Sequence, residues 1–87
     1  MHAVLVRVTI DDAESSQGFL TEQVVPRVSQ APGFVTGHWT RKDNSGLSLV
    51  IFDSEEEASQ MADQARSIAP AGVTVEDVEV REVVAHA

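Results

Sequence analysis

The sequence predicts one α+β domain, with two helices on one face of a four-stranded antiparallel sheet. Three observations carry this. Apolar residues alternate at period two in four segments and recur near period 3.6 in two others. The segments run in the order strand, helix, strand, strand, helix, strand. The breaks between them fall on turn formers: Pro32-Gly33, Asp43-Asn44-Ser45-Gly46 and Pro70-Ala71-Gly72.

Each element has its own signal. Ala3 to Ile10 reads as a strand with Val4, Val6, Val8 and Ile10 on one face. That fully apolar face is expected to meet the helices. Leu5, Arg7 and Thr9 share the other face. Arg7 in mid-strand is either a solvent-facing, salt-bridged residue or a cation inside a cavity, where it would need an anionic partner. Asp11 or Asp12 can cap a helix, with Glu14 at capping-box spacing from Asp11. The helix should run to Ser29 or Gln30, with Leu20, Val24, Val28 and Ala31 as its buried stripe, widened by Phe19 and Val25. Gly18 weakens its first half. Pro26 removes a backbone donor and crowds the carbonyl of Glu22, so a kink or a break is expected there.

The second strand, Phe34 to Lys42, puts Phe34, Thr36, His38 and Thr40 on one face and Val35, Gly37, Trp39 and Arg41 on the other. In the third, Leu47 to Phe52, the more apolar set Leu47, Leu49 and Ile51 is assigned to the helices. Ser48, Val50 and Phe52 are then expected to face away from them. Ser54 and Glu57 have capping-box spacing at the start of a helix that runs to Ala69. Its buried stripe is Ala58, Met61, Ala62, Ala65, Ile68 and Ala69. The Glu55-Glu56-Glu57 run is explained by a solvated first turn at the positive end of the helix dipole, so no metal site is assigned to it. The last strand, Val73 to Ala85, changes apolar phase near Asp77-Val78, as a β-bulge would make it do.

Size and charge bound the function. A domain of 87 residues buries a modest share of its surface, and without Cys no disulfide or thiolate metal site can reinforce it. Association with a second copy is the expected extra source of burial. A net charge of −8 disfavours nucleic acid and anionic membranes as partners. No signal-peptide pattern and no membrane-length apolar run is seen, so a soluble, cytoplasmic protein is expected.

Strand-helix-strand-strand-helix-strand is the split βαβ, or ferredoxin-like, order. It leaves one sheet face bare within the chain. With Leu5, Val50 and Phe52 assigned to it, that face is too apolar to stay exposed, and a second copy packed sheet to sheet would cover it. The Pro32-Gly33-Phe34 turn, Gly37, and the run Phe52-Asp53-Ser54-Glu55-Glu56-Glu57-Ala58 resemble the dimeric α+β barrel proteins. Within these the chain is most similar to the antibiotic-biosynthesis-monooxygenase-like (ABM-like) group. The resemblance implies a homodimer and a group that includes cofactor-independent oxygenases of aromatic compounds, heme-degrading enzymes, isomerase-like members and uncharacterised proteins.

The resemblance transfers few functional residues. Phe52 stands where heme-degrading members have a Trp. Arg7 is the nearest match to a first-strand Asn, and Ser54 to Ala69 contains no His. Heme degradation of that kind is disfavoured. With no Tyr in the chain, only Trp39 and Arg7 could play parts analogous to those in the quinone-forming oxygenases.

His38 and Trp39 are strand neighbours, so only one can line a given cavity. Hydrophobicity favours Trp39 on the helix side, which leaves His38 facing the barrel. A barrel cavity would then hold His38 as a base candidate with Arg7, Phe34, Thr36, Ser48 and Phe52, an environment suited to a small aromatic or acidic ligand. The simpler reading of His38 is a structural or solvent-facing residue. The sequence thus points to a dimeric module binding a small molecule, with no cofactor. The alternative is a cofactor-independent, monooxygenase-like enzyme acting on a small aromatic substrate.

Overall fold

The computed structural model describes residues 1–11, 17–67 and 72–87. Four antiparallel strands form one sheet: β1 (His2–Ile10), β2 (Phe34–Lys42), β3 (Ser45–Phe52) and β4 (Val73–Glu82), in the order β2-β3-β1-β4. Two helical elements, α1 (Val25–Ser29) and α2 (Glu55–Gln64), lie on the same face of this sheet. This is the ferredoxin-like arrangement expected from the element order.

The break foreseen at Pro26 takes a specific form. A π-helical turn, Leu20–Val24, leads directly into α1, and the Val25 N–H bonds back to the Leu20 carbonyl. Pro26 then sits in the first turn of α1, where a missing N–H costs least. Val24 and Val28 are buried as the stripe requires. Phe19 does not join it and is 39% exposed. Of the cap proposed for this helix, Asp12 and Glu14 lie outside the described residues.

The α2 cap is present. The Ser54 hydroxyl accepts from the Glu57 backbone N–H at 3.3 Å and donates to the Glu57 carboxylate at 3.0 Å. Ala58 is fully buried, and its missing side-chain bulk lets α2 lie close to the sheet. The helix ends at Gln64, short of Ala69. Ile68, Ala69 and the Pro70-Ala71 stop lie outside the described residues. In β4, Asp77 and Val75 pair with the consecutive residues Arg7 and Val8, so Glu76 is the extra residue of a bulge next to the predicted phase slip. That strand ends at Glu82 rather than Ala85.

One assignment is reversed. The β2–β3 connection is a tight turn in which Lys42 pairs with Ser45, and Asp43 adopts a left-handed φ of 55°. This fixes Trp39 opposite Ser48 and Gly37 opposite Val50. A register shift of one residue exchanges the two faces of a strand. Here Ser48 and Val50 pair with Val6 and Val4 of β1 and so share the helix side with Phe52, while Leu47, Leu49 and Ile51 face the bare side. A second irregularity, between Phe34 and Thr36, brings Phe34 to the helix side as well. There its ring meets Phe52 edge to face, with centroids 6.3 Å apart. The core of Val4, Val24, Val28, Val50, Phe52 and Ala58 therefore lies wholly between sheet and helices. No described helix is long and apolar enough to cross a membrane.

Candidate functional site between sheet and helices

The inward side chains of β3 shrink along the strand. From one end to the other they are Phe52, Val50, Ser48 and Gly46. Phe52 fills the space beneath the helices completely, with no solvent exposure. Ser48 and Gly46 leave it open. Gly46 is also a place of close approach, since a Cβ there would come within 2.7 Å of Val8 Cγ2. A cavity of about 180 Å³ occupies the space over this narrow end.

The cavity walls are largely apolar. Val6 and Val50 form part of the floor, with Trp39 at one side. Leu20 and Val24 of the π-helical turn and Met61 of α2 come from above. The Trp39 ring lies along its own strand over Gly37. A Cβ at Gly37 would sit 2.9 Å from Trp39 Cη2, so this glycine makes room for the indole rather than for a helix. The Ser48 hydroxyl donates to the Val6 carbonyl at 3.4 Å, a long contact within a sheet that otherwise presents valines. Gln17, Thr40 and Arg41 are the other polar residues of the wall, and each is exposed. No described carboxylate or imidazole lines the cavity.

The predicted site residues are divided between two faces. Trp39, Ser48, Phe34 and Phe52 lie on the helix side, and of these Trp39 and Ser48 line the cavity. Phe52 closes the core beyond it. Arg7, Thr36 and His38 lie on the bare side. The expected barrel-side grouping of His38 and Arg7 with Phe34, Ser48 and Phe52 therefore does not form. The β3 register and the β2 irregularity remove the last three. Arg7 pairs with Asp77 across strands at 3.9 Å, both side chains well exposed, which is the salt-bridged reading. His38 pairs with Leu49 in the sheet and is exposed. Among the described residues no cluster of three or more His, Asp or Glu is placed to hold a metal ion.

Met61, Leu20 and Val24 line the cavity without having been singled out as site residues. Their sequence signal was a buried helical stripe, and periodicity cannot distinguish a stripe packed on a core from one roofing a hollow. What creates the hollow is the tapering of β3, which becomes readable only once the hairpin register is known.

No family model and no curated protein matches the chain. Among solved structures it is similar to MhuD, a heme-degrader from Mycobacterium tuberculosis determined with two hemes bound in its active site. The two are 17% identical, the likeness covers 97% of this chain and 98% of that one, and the TM-score is 0.54. A likeness at this identity is one of fold, spread over the whole chain: the protein shares the ferredoxin-like α+β fold of that structure.

Proposed function

We propose that the protein binds a small aromatic or apolar molecule in the cavity between sheet and helices, as a binding module rather than a catalyst. The observation that carries this is the cavity itself. Its walls are mostly apolar and it opens to solvent beside Gln17, Thr40 and Arg41, so an apolar ligand could enter and would be favoured by the apolar surface it removes from water, at about 25 cal/mol per Å². A cavity of about 150 Å³ is enough for benzene, and this pocket of about 180 Å³ is open on one side, so the fitting class is an aromatic molecule of one or two fused rings.

The wall favours binding over chemistry. Cofactor-independent oxygenation of an aromatic substrate begins with removal of a proton, and no described group able to act as the base lies in the cavity. His38, the base expected from the sequence, is on the opposite face. Heme is the ligand to test by analogy with MhuD, but the residues do not fit it. The chain has three His, at positions 2, 38 and 86, and none lines the cavity. A four-pyrrole macrocycle is also far larger than the hollow.

The test uses Trp39, the single Trp of the chain, as its reporter. Titration with 1-naphthol should quench its emission saturably at one equivalent per chain. Filling the hollow with Ala65→Phe, or with Ser48→Leu should the first fail to fold, should abolish the saturable component. Quenching that is linear in naphthol, or unchanged in a folded filled variant, would overturn the proposal.

We further propose that the bare face is covered by a second copy. It exposes Leu47 and Leu49 beside Leu5 and Ile51, a contiguous apolar band. It also carries His38 and Lys42 on the β2 edge and Asp77 and Glu79 on the β4 edge. A two-fold axis parallel to the strands sets each edge over its opposite in charge. Light scattering should give twice the chain mass, and Leu49→Asp should give the single mass. A monomeric wild type at micromolar concentration would end this reading.

A further inference from the structure

We propose a second ligand site on the opposite side of Val28 and Met61: a groove between α1 and α2 that takes a zwitterion of the α-amino-acid type. The helices pack on the sheet rather than on each other, α1 against β2 and α2 against β1, β3 and β4. That separation leaves a groove of about 220 Å³ floored by Met61, with the buried Phe52 beneath it. Val28 and Met61 line both this groove and the apolar cavity and so divide them.

The rims are polar where a helix seam is ordinarily apolar. On α2, Glu57, Gln60 and Gln64 stand at spacings of three and four residues, on one helix face with Met61. Arg27 of α1 and Gln30 just after it stand three residues apart on the opposite rim. Charge is arranged across the gap, with a guanidinium on one side and a carboxylate on the other. The two form no ion pair with each other, nor with any other described residue. Oε1 of Glu57 takes the Ser54 hydroxyl, while Oε2 has no partner among the described residues.

This arrangement suits a ligand carrying both charges. Its ammonium would meet Glu57, its carboxylate would meet Arg27, and the glutamine amides would complete the polar contacts. A linear apolar side chain would lie on Met61, Ala31 and Pro32. The inference is independent of the aromatic ligand proposed for the cavity, because the two hollows differ in chemistry and share only the dividing wall.

The probe is L-norleucine, followed by isothermal titration calorimetry and by Trp39 emission. It should bind at one site per chain. Hexanoate and pentylamine, each carrying one of its charges, should bind at least about tenfold more weakly. Arg27→Met, at an exposed helix position, should weaken norleucine binding about tenfold while far-UV circular dichroism stays unchanged, and Glu57→Gln should do the same. Saturating norleucine should leave 1-naphthol quenching of Trp39 intact. No saturable binding up to 10-millimolar-scale probe (about the weak limit of such sites), equal binding by the singly charged analogues, equal binding by folded Arg27→Met, or displacement of naphthol would each overturn the proposal.

Discussion

The two faces of the sheet have opposite characters, and hydropathy alone assigns them the wrong way round on β3. The helix face receives Ser48 and Gly46, two of the three least hydrophobic residues of the strand, and with them a hollow. The bare face receives Leu47 and Leu49, 47% and 38% exposed, beside a charged pair and an imidazole. One face is covered by the helices and tapers to a pocket open at its narrow end. The other is flat, apolar in the middle and charged at its edges. The difference teaches that the face assignment of β3 is set by its neighbours: pairing with Val4, Val6 and Val8 of β1, and with Trp39 of β2 through the hairpin register, carries Val50, Ser48 and Gly46 to the helix side and leaves the leucines on the other.

Substitutions can test that contrast. The largest effect is expected at the closed end of the helix face. Phe52→Ala removes a ring with no solvent exposure and its edge contact with Phe34, and should cost about 3–5 kcal/mol in urea denaturation. A loss below about 1 kcal/mol would mean the helices do not close over that end.

Next comes the turn that enters β2. Gly33 has φ of 79°, a conformation that an L-residue adopts at a cost of about 1–2 kcal/mol. A Cβ there would also overlap the Glu57 carboxylate. Gly33→Ala should lower stability by about 2 kcal/mol through both terms. Ser54→Ala should cost less, about 1 kcal/mol, because it removes one cap from one helix end. Thermal melts of the two variants side by side would order them.

The smallest effect belongs to the bare face. Arg7→Ala breaks an exposed pair at 3.9 Å and should leave the denaturation midpoint within about 0.5 kcal/mol of wild type. Repeating that measurement on dilution sharpens the comparison of faces. A deficit that depends on protein concentration would show that Arg7 is covered in an assembly.

The order of elements, the Ser54 cap, the bulge in β4 and the disruption before Pro26 were all legible in the sequence, because each is set by residues within a few positions of one another. The candidate site was legible only in part. Trp39 and Ser48 were named, but in a grouping with His38 and Arg7 that the sheet separates. That error has a single origin in long-range pairing. Val35 adds one residue to β2 against β3, and the two-residue turn fixes the remainder, so Phe34 and Thr36 part company even though they are two apart in sequence. Alternation assumes an unbroken ladder, and nothing in the side chains announces the irregularity.

The contact between Gly33 and Glu57 has a consequence for how this chain can be altered. The turn before β2 and the first turn of α2 are more than twenty residues apart, yet the carboxylate of one occupies the space left by the missing side chain of the other. Positions 33 and 57 therefore form a single unit of sequence choice. Shortening Glu57 frees the volume that a methyl group at 33 would need, so in a double-mutant cycle with Glu57→Ala the steric part of the Gly33→Ala penalty should vanish and the part due to φ should persist. The Pro-Gly-aromatic turn and the acidic helix start look like two separate signatures along the chain. In space they meet, with the carboxylate of the helix start lying over the glycine of the turn.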